Sequence, residues 1–240
     1  MKRVSTIIGL TLIAATGVAA AGPFLLDDFN DGDAVGWDQT DFTGIGIFDA
    51  SSGEYVMRTA GPLAVTDPSA GTVESHWERS DQLPRYSNGT IGGTVRANTY
   101  GTTAGFLMRD HDDPMRDYGF YGSTSFGTFY IERFQIDANP PQTIIAMADP
   151  AESPFVAGVT YNLRGSVVGH RLRLKAWAVG TPEPTEPTLT VSDDVLPPGP
   201  ENEISAVIFF DAAPLMEAGV DQVTVDAAFD DIYFVPARRR

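Results

Sequence analysis

The 240-residue chain contains no cysteine. Disulfide staples, thiolate metal centres and cysteine nucleophiles are therefore excluded, and packing or an oxygen- or nitrogen-bound metal must hold the fold. Lysine is nearly absent as well: past Lys2, only Lys175 occurs. With 32 acidic against 16 basic residues the formal charge is −16. Nucleic acid is not an expected partner, because a phosphate backbone demands a basic face. Helical periodicity is nearly missing. The three histidines, His76, His111 and His170, are scattered, with no His-Glu-x-x-His zinc motif, no Gly-x-Ser-x-Gly elbow and no phosphate-cradling glycine loop.

What is present begins with a leader. Met1-Lys2-Arg3 is cationic, "VSTIIGLTLIAATGVAA" is apolar, and small residues follow at Ala19, Ala20 and Ala21. This is the layout of a secretory signal peptide over residues 1–21; the apolar run is short for an anchoring helix. The mature chain is thus expected to be secreted, extracellular or periplasmic, with no membrane span of its own. The remaining roughly 220 residues are enough for one large all-β domain with a sizeable core. No composition break divides residues 22–236, and 237–240 read as a basic tail.

Short runs of β-branched and aromatic residues, separated by Gly, Pro, Asn and Asp, mark strands throughout. They include 44–50, 54–59, 73–79, 90–98, 104–110, 118–122, 127–135, 142–148, 160–168, 171–178, 188–193, 203–211 and 221–235. Many short strands with regular turns mean a sandwich or barrel. The Pro-rich "TPEPTEP" at 181–187 is a long loop, since alternation resumes after it. In "RLRLKAW", Leu172, Leu174 and Ala176 face one side while Arg171, Arg173, Lys175 and Trp177 face the other. The second set is a cationic row with an indole on an otherwise anionic protein. Gly169 and His170 form the tight turn before it.

Catalytic patterns were sought. Paired carboxylates for sugar hydrolysis need a shared face; Glu132 and Asp137, five apart, fall on opposite faces of a strand. Glu74, His76 and Glu78 of "VESHWER" share one face and could line a groove, though a solvated polar row is the first reading. "RDHDDPMRD" at 109–117, dense in His and Asp, reads first as a surface loop and second as a metal loop. No catalytic residue is assigned. Sugar binding requires rings that stack and planar polar groups that hold hydroxyls. Trp177, Trp77, Tyr118, Tyr121 and Tyr130 supply candidate rings, Arg109, Arg133, Arg173 and Lys175 donors, and Glu132 an acceptor. The same residue types also serve as core aromatics and as partners for the many carboxylates.

Taken in order, "DDFNDGDAVGW", "MRDHDDPMRDYGFY", "YIER", "YNLRGSVVGHRLRLKAW", "GTPEP" and "AAFDDIYFV" resemble the concanavalin A-like, laminin-G-like jelly-roll domains of exported bacterial proteins. The resemblance implies an all-β, antiparallel two-sheet sandwich with the first and last strands as neighbours. Asp27, Asp28, Asp230 and Asp231 would then lie close together. Two carboxylates 4 Å apart repel by about 4 kcal/mol at an effective dielectric of about 20. They must splay into water, share a proton or hold a cation. Ca²⁺ suits an oxygen-only set, and a structural Ca²⁺ on Asp28, Asp31 and Asp231 is one expectation; capping of strand ends is the other. The fold analogy points to a non-catalytic binder of polysaccharide or cell-surface glycan. A glycoside hydrolase or polysaccharide lyase, or a structural envelope protein, are the alternatives.

Overall fold

The computed structural model describes residues 23–66, 72–77, 88–112, 115–197 and 203–237. The expected signal peptide, Glu78 and the final three arginines lie outside the described residues. One sheet runs in the spatial order β14 (Leu189–Ser192), β13 (Arg171–Ala178), β12 (Tyr161–Val168), β7 (Gly89–Ala97), β17 (Asp226–Pro236), β4 (Tyr55–Thr59) and β3 (Gly46–Asp49), and β1 (Phe24–Asp27) also pairs with β17. The other runs β11 (Gln142–Met147), β10 (Thr128–Gln135), β9 (Met115–Ser123), β8 (Thr103–Asp112), β15 (Glu203–Phe209), β6 (Val73–Trp77) and β2 (Trp37–Asp41). A minor ribbon pairs β5 (Leu63–Ala64) with β16 (Gln222–Val223), and one short helix, α1, spans Ala212–Glu217. Every strand pairing described is antiparallel, as a jelly-roll sandwich requires.

The alternation seen in sequence becomes the core. Leu163, Val167, Leu172 and Leu174 of the first sheet are buried against Phe106, Phe120, Phe129 and Ile131 of the second. Phe106 and Phe229 meet across the layers with ring centroids 5.8 Å apart. Further along, Phe29 stacks on Tyr55 at 5.0 Å and Trp37 meets Trp77 edge-on at 5.1 Å. Such aromatic pairs add about 0.5–1.5 kcal/mol each beyond the area they bury. Gly165 lets the layers close: a Cβ there would stand 2.4 Å from the Phe120 ring. Gly165→Ala should therefore lower unfolding stability by about 1–3 kcal/mol. Gly61→Ala, whose Cβ would meet nothing within 4 Å, should be near neutral; equal denaturation midpoints for the two would refute this account.

The chain ends meet as expected. β1 pairs antiparallel with β17, placing Phe24 opposite Phe234 and Leu25 opposite Tyr233. The two acidic words differ in job. In the closing strand Asp231 adopts a left-handed conformation (φ 51°), and the register with β7 slips between Asp230 and Tyr233. One extra residue is thereby absorbed in a β-bulge. As a result Phe229, Ile232 and Phe234 all face the core, while Tyr233 turns outward. At the start, Asp27 accepts hydrogen bonds from the Phe29 amide at 2.9 Å and the Trp37 indole at 3.1 Å, closing the first turn.

Two segments depart from the sequence reading. "RDHDDPMRD" falls largely on strands: β8 runs to Asp112, β9 begins at Met115, and the two pair antiparallel with Asp112 opposite Met115. The segment "AAPLME" forms a helix, in spite of the lack of helical period. Pro214 lies in its first turn, where no amide donor is needed, and Gly219 (φ 72°) ends it.

Candidate functional site

The solvent face of the first sheet carries a trough built by register. The two-residue turn at Gly169–His170 sets Ser166 opposite Arg173 and Arg164 opposite Lys175, with Asn162 opposite Trp177. Like charges directly opposite one another destabilise a sheet. Here the Pro-rich loop answers them: Glu183 accepts from Arg164 at 2.8 Å and from Lys175 at 2.9 Å. Those two cations, Lys175 above all, hold the Glu183 carboxyl below its ordinary pKa. Arg171 and Arg173 are exposed and make no ion pair with the described residues.

Two adjoining hollows result. One, of about 420 Å³, is lined by Arg164, Arg171, Arg173, Lys175 and Ser166, with Glu186 of the Pro-rich loop also on its wall. The other, of about 590 Å³, is lined by Leu25, Thr94, Asn162, Asp231 and Tyr233. Thr90 and Arg164 belong to both. The Arg164 guanidinium carbon lies 4.8 Å from the Trp177 ring centroid and 5.8 Å from that of Tyr233. Both distances fall within cation–π range. Gly92 makes this possible, since a Cβ there would stand 2.5 Å from Tyr233 Oη. An anion or a ring of hydroxyls laid in the trough would meet guanidinium and ammonium donors already positioned by the sheet.

The outer face of the second sheet is different in kind. Glu74 and His76 of β6, Ser205 of β15, Asp110 of β8, Asp117 of β9 and Glu132 of β10 follow one another across five adjacent strands. His76 Nδ1 lies 3.2 Å from Asp110 Oδ2 and 3.5 Å from Glu203 Oε2, and its Nε2 lies 3.8 Å from Glu74 Oε1. Ser205 Oγ donates to Asp110 Oδ2 at 2.5 Å. Burial opposes the charged imidazole, but hydrogen bonds to Asp110 and Glu203, with the Glu74 carboxylate nearby, push its pKa up to about 11. Burial, aided by Asp211, raises Glu132 to about 8. Asp117 is raised well above its usual value, by burial first and then by the surrounding carboxylates. Beside this row, Leu107, Tyr121, Tyr130, Val207 and Phe209 form a separate buried apolar cluster. The Asp211 carboxylate accepts from Thr103, Ser123 and Tyr130 at its margin.

The residues selected from sequence are thus divided. Arg173 and Lys175 line the trough, and Trp177 borders it through its contact with Arg164. Glu132 lies on the opposite sheet at 4 % exposure. Arg109 and Tyr118, expected as ligand contacts, are buried at 1 % and 0 % and face no solvent. Arg109 donates to the Gly169 and Leu196 carbonyls, and Tyr118 donates to Asp193 Oδ1 at 2.7 Å. Arg133 donates to the other oxygen of Asp193. These three clamp one end of the sandwich. The carboxylates of Asp28, Asp31 and Asp231 do not converge: among the described residues, the group whose ligand atoms come within 4.8 Å of one another is Glu74, His76 and Asp110. Asp28 and Asp31 instead accept from the amides of Asn30 and Asp33 in successive turns. Sequence reasoning missed Arg164 and Tyr233, and it placed Asp110 and Asp117 in a loop, where the structure has them on strands.

No protein-family model matches the chain, and no curated protein matches it. Solved structures do. A native glycosidic hydrolase superposes with a TM-score of 0.58 at 10 % identity, over 91 % of this chain and 97 % of that one. A β-glucanase of Bacillus licheniformis gives 0.51 at 14 %, over 91 % and 99 %. The CBM2 module of the evolved Dit protein of Lactobacillus casei BL23 phage J-1 gives 0.52 at 14 %, over 89 % and 95 %. Identities this low speak to architecture alone, and the architecture is clear: the chain has the concanavalin A-like jelly-roll fold.

Proposed function

We propose that this protein is a non-catalytic binder of acidic polysaccharide, which it holds in the trough on the first sheet. One observation carries the reading. On a chain with a net charge of −16, Arg164, Arg171, Arg173 and Lys175 converge on one open hollow, and two of them have no described carboxylate partner. A cationic strip within an anionic field attracts a polyanion locally while the rest of the surface repels mispositioned chains. Ser166, Thr90, Thr190 and Asn162 add hydroxyl and amide groups suited to sugar hydroxyls. Export by the N-terminal leader would bring the trough to extracellular or cell-surface glycans.

A hydrolytic reading would use the carboxylates of the second sheet. Glu74, Asp110, Asp117 and Glu132 are at most 8 % exposed. So little exposure disfavours contact with a glycosidic oxygen, which general acid catalysis needs within hydrogen-bond reach. Isothermal titration against a uronic-acid polymer, a sulfated glycan, a neutral glucan and single-stranded DNA tests the proposal. Binding is expected for the acidic glycans, weakening as salt is raised. Preference for the neutral glucan or for DNA, or release of reducing ends from any glycan, would overturn it.

A further inference from the structure

The structure assigns a second, independent site: we propose that Glu74, His76 and Asp110 form a divalent transition-metal site on the outer face of the second sheet. The three ligand atoms lie within 4.8 Å of one another. Metal–ligand bonds of about 2.0–2.2 Å place neighbouring donors about 3–3.5 Å apart. His76 Nδ1 to Asp110 Oδ2, at 3.2 Å, already meets this; Glu74 Oε1 lies 3.8 Å from the other ring nitrogen, Nε2, so a side-chain rotation must bring it round to a metal held on Nδ1. Ser205 Oγ, 3.1 Å from His76 Nδ1 and 2.5 Å from Asp110 Oδ2, and Glu203 Oε2 stand at the edge of the same group.

A separate observation points to a missing cation. Asp117 projects from the neighbouring strand on the same face, is 7 % exposed, and its Oδ1 is buried with no hydrogen-bond partner. A buried carboxylate oxygen without a donor is costly, and a proton or a cation relieves that cost. The groups acting on Asp117 are Asp110, Glu74, Glu132 and His76, which places its carboxyl in the electrostatic reach of the proposed ligands. The donor set decides the metal class. An imidazole with carboxylates suits Zn²⁺ or Mn²⁺, whereas Ca²⁺ takes oxygen alone. The backbone also supports the assignment. Arg109 sits in the left-handed region (φ 56°), and the β8–β15 register slips between Glu203 and Ile204. That bulge turns Asp110 onto the face of His76, from which a regular strand would have turned it away.

The test uses the full mature chain, stripped with chelator and titrated calorimetrically with Zn²⁺, Mn²⁺ and Ca²⁺. One equivalent of Zn²⁺ or Mn²⁺ should bind at micromolar Kd or tighter and raise the melting temperature, with Ca²⁺ at least tenfold weaker at this site. His76→Gln and Asp110→Asn should each weaken binding by tenfold or more, while Asp28→Asn leaves it unchanged. Should those variants fail to fold, electron-spin-echo modulation of the Mn²⁺-loaded wild-type protein gives an independent reading, and a directly bound imidazole nitrogen is expected. No stoichiometric Zn²⁺ or Mn²⁺ binding, undiminished binding in both variants, or a bound Mn²⁺ without nitrogen coordination would each overturn the assignment. None of these outcomes depends on whether the trough binds glycan.

Discussion

Reversing the two cations that make no ion pair among the described residues, Arg171→Glu with Arg173→Glu, should reduce affinity for an acidic polysaccharide on the order of a hundredfold at low salt. Each exposed ion contact is worth about 0.5–1 kcal/mol, and each reversal both removes one and adds a repulsion. Four such effects come to about 3 kcal/mol, and each 1.4 kcal/mol is about tenfold. Both side chains are exposed, while Leu172 and Leu174 between them hold the core, so the melting temperature should hardly move. The salt dependence of binding should flatten along with the affinity. Trp177→Ala acts differently. It releases Arg164 from its ring and should weaken binding less than the double reversal. An affinity unchanged by the double reversal would remove the trough from the function.

Glu132 dominates the expected pH behaviour. Its pKa, ordinarily 4.5, is pushed up to about 8, mainly by burial and then by Asp211. Between those values the folded chain keeps a proton that the unfolded chain has lost. Protonation therefore favours the folded state, fully below about pH 4.5 and progressively less as pH rises towards 8. The slope approaches 1.4 kcal/mol per pH unit, for a total of a few kcal/mol at most. Glu132→Gln keeps the shape and removes the titration. Urea unfolding from pH 5 to pH 9 should show a wild-type decline that the variant lacks, with the variant the more stable of the two at pH 9. The carboxylates elsewhere on this acidic chain titrate in both proteins, so the difference between the curves reports Glu132 together with Asp117, whose carboxyl feels it. Parallel curves would mean that Glu132 is ionised throughout.

Much of this architecture is legible in the sequence, and the exceptions have identifiable causes. Alternation alone separates Leu172 and Leu174 from Arg173 and Lys175, because one face of that strand is buried and the other wet. Arg164 was also within reach. Counting back from the two-residue turn at Gly169–His170 pairs it with Lys175, and the hairpin register was the overlooked signal. Asp110 and Tyr233 were not within reach. Each follows a bulge centred on a left-handed residue, Arg109 or Asp231, that reverses the side on which the next residues emerge. Neither residue type advertises that conformation as a glycine would. Arg109, Tyr118 and Arg133 were misleading for a related reason. A polar residue on a strand looks like surface until the loops that close the sandwich bring carbonyls and Asp193 over it.

The placement of β17 has a consequence for how the protein is made. β17, the last of the described strands in chain order, is an interior member of its sheet, holding β7 on one side and β4 and β1 on the other. Until it arrives, β7 and β4 present bare backbone edges, which are templates for pairing with other chains. Assembly of that layer must wait for β17, so a chain cut short before it would lose its central seam and acquire a route to aggregation.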